Sequence, residues 1–188
     1  MAKTKIMVDF HGTLMLKKGS DMINTIIPAR QILAFLSGFP KFIEYMNRKM
    51  YANGELVKIL NIVKDLYDID IVVVSAAHEE SRCYMEQTLS KIGLFYDELI
   101  LRESFLQRHH TFKVEETLKL MPTIALEDCI FYAGEMMVAM KAAGNENFRV
   151  FTPQEFTLEI GIALLDRVEY PEAHRYNEPE TYPTCATA

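Results

Sequence analysis

Four places in the sequence carry residue types that could act together on one substrate. They are an acid in Asp9-Phe10-His11-Gly12-Thr13, a hydroxyl in Ser75-Ala76-Ala77, an ammonium at Lys113 and a second acid in Gly134-Glu135. A carboxylate can attack an electrophilic centre, while a hydroxyl and an ammonium can stabilise oxygens on which negative charge develops. Each residue also has a plainer use. Asp9 could cap a turn, Ser75 a following helix, Lys113 could be a solvated helix residue and Glu135 a complement to a helix dipole. His78, His109 and His110 read as surface residues, and Glu127-Asp128 as a polar loop before the fourth strand.

What could bring the four together is a pattern of short apolar runs alternating with helical stretches. Residues 6–10, 69–74, 98–101, 129–133 and 148–151 read as strands, each being four to six residues rich in β-branched or aromatic types. Ile71-Val72-Val73-Val74 lacks polar alternation, as a strand covered on both faces should. Between them, 55–67, 79–92, 114–121 and 136–143 have helical apolar spacing; Leu56, Ile59, Leu60, Val63 and Leu66 form one face. This alternation predicts βαβ units and an α/β fold with a doubly wound parallel sheet. Ligands of such sheets bind beyond the carboxyl ends of the strands, where Asp9, Ser75 and Glu135 are expected and where Lys113, opening the helix before the fourth strand, can converge on them.

Two segments break the rhythm. Residues 15–54 hold two helical candidates, 29–36 and 41–50, with Met22, Ile26, Phe35, Phe39, Phe42, Tyr45 and Met46, which predicts a small helical cap inserted after the first strand, packed on the core or lining a substrate pocket. After Tyr170 the chain turns to Pro171, Pro179 and Pro183 among polar residues without apolar periodicity, which predicts a flexible tail. The expected division is a core domain of 1–168, with the cap at about 15–54, and a tail of 169–188.

The 188 residues, 49% apolar and 24% charged, suit one globular domain with a sizeable core. A net charge of −6 supplies no basic field for a nucleic acid polymer, and no apolar run is long enough to span a membrane. The start of the chain lacks the apolar region of a secretory signal, and Cys83, Cys129 and Cys185 form neither a disulfide framework nor a zinc motif, so the expected setting is the cytoplasm.

The four motifs, in this order on these elements, resemble those of the haloacid dehalogenase superfamily, most of whose members are phosphatases. Asp9-Phe10-His11-Gly12-Thr13 is similar to the family's Asp-x-Asp-Gly-Thr, with His11 at the position of the second acid. Ser75 matches its second motif, Lys113 its third, and Gly134-Glu135 a Gly-Asp fourth, followed by Ala142-Ala143-Gly144. The resemblance runs from about residue 5 to 151. It implies a phosphatase-type hydrolase of small phosphomonoesters, with Asp9 as nucleophile of an aspartyl-phosphate intermediate. His11 would stand where the family keeps its proton donor. Backbone N–H groups from Phe10 to Gly12, the Ser75 hydroxyl with Ala76, and Lys113 would hold the phosphoryl oxygens, and Asp9, the His11 carbonyl and Glu135 would hold Mg2+. The same resemblance admits a metal-independent dehalogenase, or a weakened relative that binds a phosphorylated ligand or a protein partner.

Overall fold

The computed structural model describes residues 3–17, 50–104 and 106–169, and the side chains of all of these except 17 and 167–169. A five-stranded sheet is built from β1 (Thr4–Asp9), β4 (Ile69–His78), β5 (Glu98–Arg102), β6 (Ile124–Leu126) and β7 (Arg149–Phe151). Its order is β5-β4-β1-β6-β7 and every pairing is parallel. β1 is central because it is apolar on both faces: Ile6, Met7 and Val8 are at most 2% exposed and pair with Ile71, Val72 and Val73 on one side and Ile124, Ala125 and Leu126 on the other. The chain moves outward from β1 to β5, then returns to lay β6 against the free edge of β1. The order therefore reverses beside β1, whose carboxyl end is where ligands of such sheets bind.

Successive side chains of a strand point to opposite faces, so the sheet has two apolar layers. Ile6 and Val8 pack with Leu56, Leu60 and Val63 of α1 (Gly54–Leu66), Met85 and Leu89 of α2 (Arg82–Ile92) and Leu165 of α5 (Leu158–Glu169). Met7, Val72 and Val74 pack with Phe112 of α3 (His109–Leu120) and Met136 and Met140 of α4 (Ile130–Ala142). This is the doubly wound α/β architecture that the alternation of apolar runs predicts. No described helix is long and apolar enough to cross a membrane.

The fourth strand is not where its composition places it. Residues 129–133 are the start of α4 and its N-terminal approach; the strand that pairs with β1 is Ile124–Leu126. A short apolar run cannot be assigned to strand or helix by periodicity alone, and here the run continues through Met136, Met137 and Met140 into a 13-residue helix. α3 begins five residues before the expected 114, because His109, His110 and Thr111 give no apolar signal. β4 continues past Val74 to His78, with a register shift against β5 between Ser75 and His78. α5 carries no counterpart among the expected elements.

A second, two-stranded sheet pairs β2 (Met15–Lys17) antiparallel with β3 (Met50–Ala52), Met15 opposite Ala52 and Lys17 opposite Met50. The inserted segment thus leaves and re-enters the core through adjacent strands. Met50, read as the end of a helix, is in β3. The cap's helical candidates otherwise lie outside the described residues, as does the tail from 170 onward.

Candidate active site

Asp9 ends β1 and is 3% exposed, so its carboxylate needs a partner to remain charged. The partner comes from the neighbouring layer: Lys113, 4% exposed in the second turn of α3, places Nζ 2.9 Å from Asp9 Oδ1. The same ammonium is paired with Glu127 Oε2, and Glu127, 2% exposed, directly follows β6. Glu127 is fixed through its other oxygen, which accepts the Cys129 N–H at 3.0 Å. The ring of Tyr132, in the first turn of α4, lies 4.8 Å from Lys113 Nζ. One cation therefore faces two buried carboxylates. Burial, and then the charge of Glu127, push Asp9 up to about 7, although Lys113 and the Phe10 N–H act against the rise. Burial alone would lower Lys113; the two carboxylates outweigh it and hold the ammonium above its usual range.

The turn after Asp9 closes tightly. Gly12 donates to Met15 O and Met15 to Phe10 O, both at 2.9 Å, and Gly12 has φ +97°, in the region that favours glycine. A Cβ on Gly12 would come within 3.3 Å of Asp128 Oδ2, so the turns after β1 and β6 touch and the exposed Asp128 carboxylate stands over the Asp9 loop. Gly12→Ala is expected to lose about 1–2 kcal/mol from backbone strain, lowering Tm by about 2–8 °C. Gly93 is also at positive φ (+73°) but an added Cβ would meet nothing within 4 Å among the described residues, so Gly93→Ala should lose less. Equal losses in thermal melts would show that the Asp128 contact has no weight.

Of the residues singled out in the sequence, the structure brings together Asp9, His11, Gly12, Ser75 and Lys113. Ser75 is fully buried; its Oγ accepts the Ala77 N–H at 3.2 Å and lies 3.4 Å from His11 Nδ1. It caps no helix, since α2 is preceded by a short turn at Glu79–Ser81 whose cap is His78. Phe10 buries its side chain in the core and meets the His11 ring edge to face at 4.8 Å, leaving its backbone for the site. Ala76 is half-buried beside Ser75.

Glu135 is not at a strand end. It lies in the second turn of α4, with Oε2 buried and, among the described residues, without a hydrogen-bond partner, and Gly134 is an exposed helical residue. The place given to Gly134-Glu135 is filled by Glu127-Asp128, the pair read as a polar loop before a strand. The sequence signal for them was available: two adjacent acids end the apolar run Ile124-Ala125-Leu126. Tyr132 carried no such signal. His78 is another correction, being 8% exposed with Nε2 3.0 Å from the Glu103 carbonyl, whereas His110 meets Phe131 edge to face at 6.3 Å.

No protein-family model and no curated protein matches the sequence. Solved structures do match. The HAD domain of the effector protein Lem4 from Legionella pneumophila, in an inactive mutant, aligns with a TM-score of 0.54 at 17% identity, covering 90% of this chain and 94% of that one. The L. pneumophila effector Ceg4, solved with an N-terminal yeast Hog1p sequence, gives 0.51 at 20% identity, covering 90% and 95%. A chain of the Pnkp1/Rnl/Hen1 complex gives 0.53 at 19%, covering 80% of this chain and 45% of that one. With the sheet order and the convergence at the end of β1, these likenesses identify the fold as haloacid dehalogenase-like.

Proposed function

We propose that the protein is a phosphatase-type hydrolase of small phosphomonoesters, working through an aspartyl-phosphate on Asp9. The reading is carried by the buried Asp9–Lys113 ion pair at the carboxyl end of the central strand, with Ser75 and His11 3.4 Å apart beside it. In this reaction an Asp9 oxygen bonds to phosphorus as the ester oxygen leaves, splitting one difficult displacement into two steps. Lys113, the Ser75 hydroxyl and the N–H groups of the Phe10 to Gly12 turn bind the phosphoryl oxygens and stabilise their growing charge. The His11 imidazole gives a proton to the departing oxygen, then takes one from the water that cleaves the aspartyl-phosphate.

The donor set suits magnesium. Among the described residues two buried carboxylates face one ammonium, Asp9 is raised by burial and then by the charge of Glu127, and the nearby donors are oxygens. Among the described residues no group of three or more His, Cys, Asp or Glu side chains converges on one point. Magnesium does not require one, since it is commonly held by one or two carboxylates, with water and substrate phosphate completing the shell. Asp9, the His11 carbonyl and Asp128 would hold it. When bound, the ion neutralises Asp9 against the phosphate.

We place the activity in the cytoplasm, acting on a free small molecule, a setting consistent with the free thiols of Cys83 and Cys129. The test is phosphate release from p-nitrophenyl phosphate and a panel of phosphorylated metabolites, with and without magnesium. Release dependent on magnesium is expected; none from any substrate would overturn the reading. Asp128→Asn should raise the magnesium needed for half activity about tenfold, about 1.4 kcal/mol of binding. Glu135→Gln should leave that concentration within about twofold, and the reverse ranking would return Glu135 to the metal.

A further inference from the structure

We propose that Tyr132 is a positioning residue for Lys113, its ring forming the wall that keeps the ammonium turned toward Asp9 and Glu127. The contact stands on geometry alone, and only its consequence for turnover rests on the phosphatase reading. Lys113 Nζ lies 2.9 Å from Asp9 Oδ1, is paired with Glu127, and is 4.8 Å from the centre of the Tyr132 ring. An ammonium has three donors and no acceptor. Two carboxylates engage it, and the electron-rich ring face receives its remaining charge. The Lys113 side chain is 5% exposed, and a desolvated cation gains most from an aromatic face.

The chain is built to keep the ring there. Tyr132 follows Glu127 by five residues, so one short segment supplies both a carboxylate and the ring, and the Cys129 N–H to Glu127 bond anchors its start. The Tyr132 ring meets Phe131 edge to face at 5.9 Å, and Phe131 meets His110 at 6.3 Å on α3, the helix that carries Lys113. A lysine stem of four carbons has many rotamers, and the ring removes those that turn the charge away from Asp9.

The experiment follows the Lys113 ammonium by 15N NMR, assigned by its loss in Lys113→Arg, together with kcat/KM on p-nitrophenyl phosphate in magnesium. Tyr132→Phe keeps the ring face and should keep the protected ammonium signal. Tyr132→Leu should speed its exchange with water by about tenfold and lower kcat/KM by about tenfold, mostly through kcat, because the anchor of the transition state is loosened. 3,4,5-Trifluorophenylalanine at position 132 keeps the shape of phenylalanine but withdraws charge from its face, and should lose about threefold relative to Tyr132→Phe in both measurements. This comparison decides the matter if Tyr132→Leu does not fold. Equal ammonium exchange with and without the fluorines, or in wild type and Tyr132→Leu, would overturn the proposal. If wild-type protein releases no phosphate at all, the phosphatase reading falls and the ammonium exchange alone decides the role of Tyr132.

Discussion

Asp9→Asn is expected to reduce phosphate release by about 10³-fold or more, while the metal-free protein becomes more stable at neutral pH. Asparagine keeps the shape of the side chain and removes both the proposed nucleophile and one of two buried negative charges that face Lys113. The remaining Lys113 and Glu127 form a balanced pair, so a gain of about 1 kcal/mol, or about 2–4 °C in Tm, is expected at pH 8. The pH dependence provides a second check. Burial and Glu127 raise Asp9 from 3.8 to about 7 in the folded chain, so between those values the native state holds a proton that the unfolded state has lost. Stability from this group is present below pH 4 and declines as pH rises toward 7. Urea melts of metal-free wild type should show that decline, and Asp9→Asn should flatten it. A variant that still turns over phosphate at more than a few per cent of wild type would remove Asp9 from the chemistry. A fall in its Tm at pH 8 would contradict the surplus of negative charge.

The half of the site on β1, β4 and α3 was legible because its residues sit beside strong signals. β1 and β4 contain the continuous apolar runs Ile6-Met7-Val8 and Ile71-Val72-Val73-Val74, and Asp9 and Ser75 come directly after those runs. Lys113 was found as a residue near a helix start although α3 begins four residues before it, since only its register, not the helix end, matters for reaching Asp9. The half on β6 was not legible. Ile124-Ala125-Leu126 is three residues long and owes its strand state to pairing with β1 and β7 on both sides, which no local pattern reveals. The longer apolar run that follows it is the stronger local strand signal and lies in a helix instead, so the acids were sought at Glu135 rather than at Glu127 and Asp128. β2 and β3 were missed for a related reason: each has three residues, and their partners are separated by the whole insertion.

His11→Ala should separate substrates by their leaving groups. The ring stands two residues beyond Asp9, with Nδ1 3.4 Å from Ser75 Oγ and an edge-to-face contact with Phe10, beside the groups proposed to bind the phosphoryl oxygens. An alkyl phosphate needs a proton on its departing oxygen, and imidazole, with an ordinary pKa of about 6.5, can supply one near neutral pH. Loss of that donor should slow an alkyl phosphate by about 10²–10⁴-fold. p-Nitrophenyl phosphate leaves as a stabilised phenolate and should be slowed far less. His11→Asp restores a carboxyl group that can carry the same proton, and should recover much of the rate on the alkyl substrate. The long contact to Ser75 gives an internal control: if His11 served only to orient the Ser75 hydroxyl, Ser75→Ala and His11→Ala would slow both substrates alike. That pattern, or failure of His11→Asp to recover the alkyl phosphate, would assign His11 to phosphate binding or packing and leave proton donation to another group.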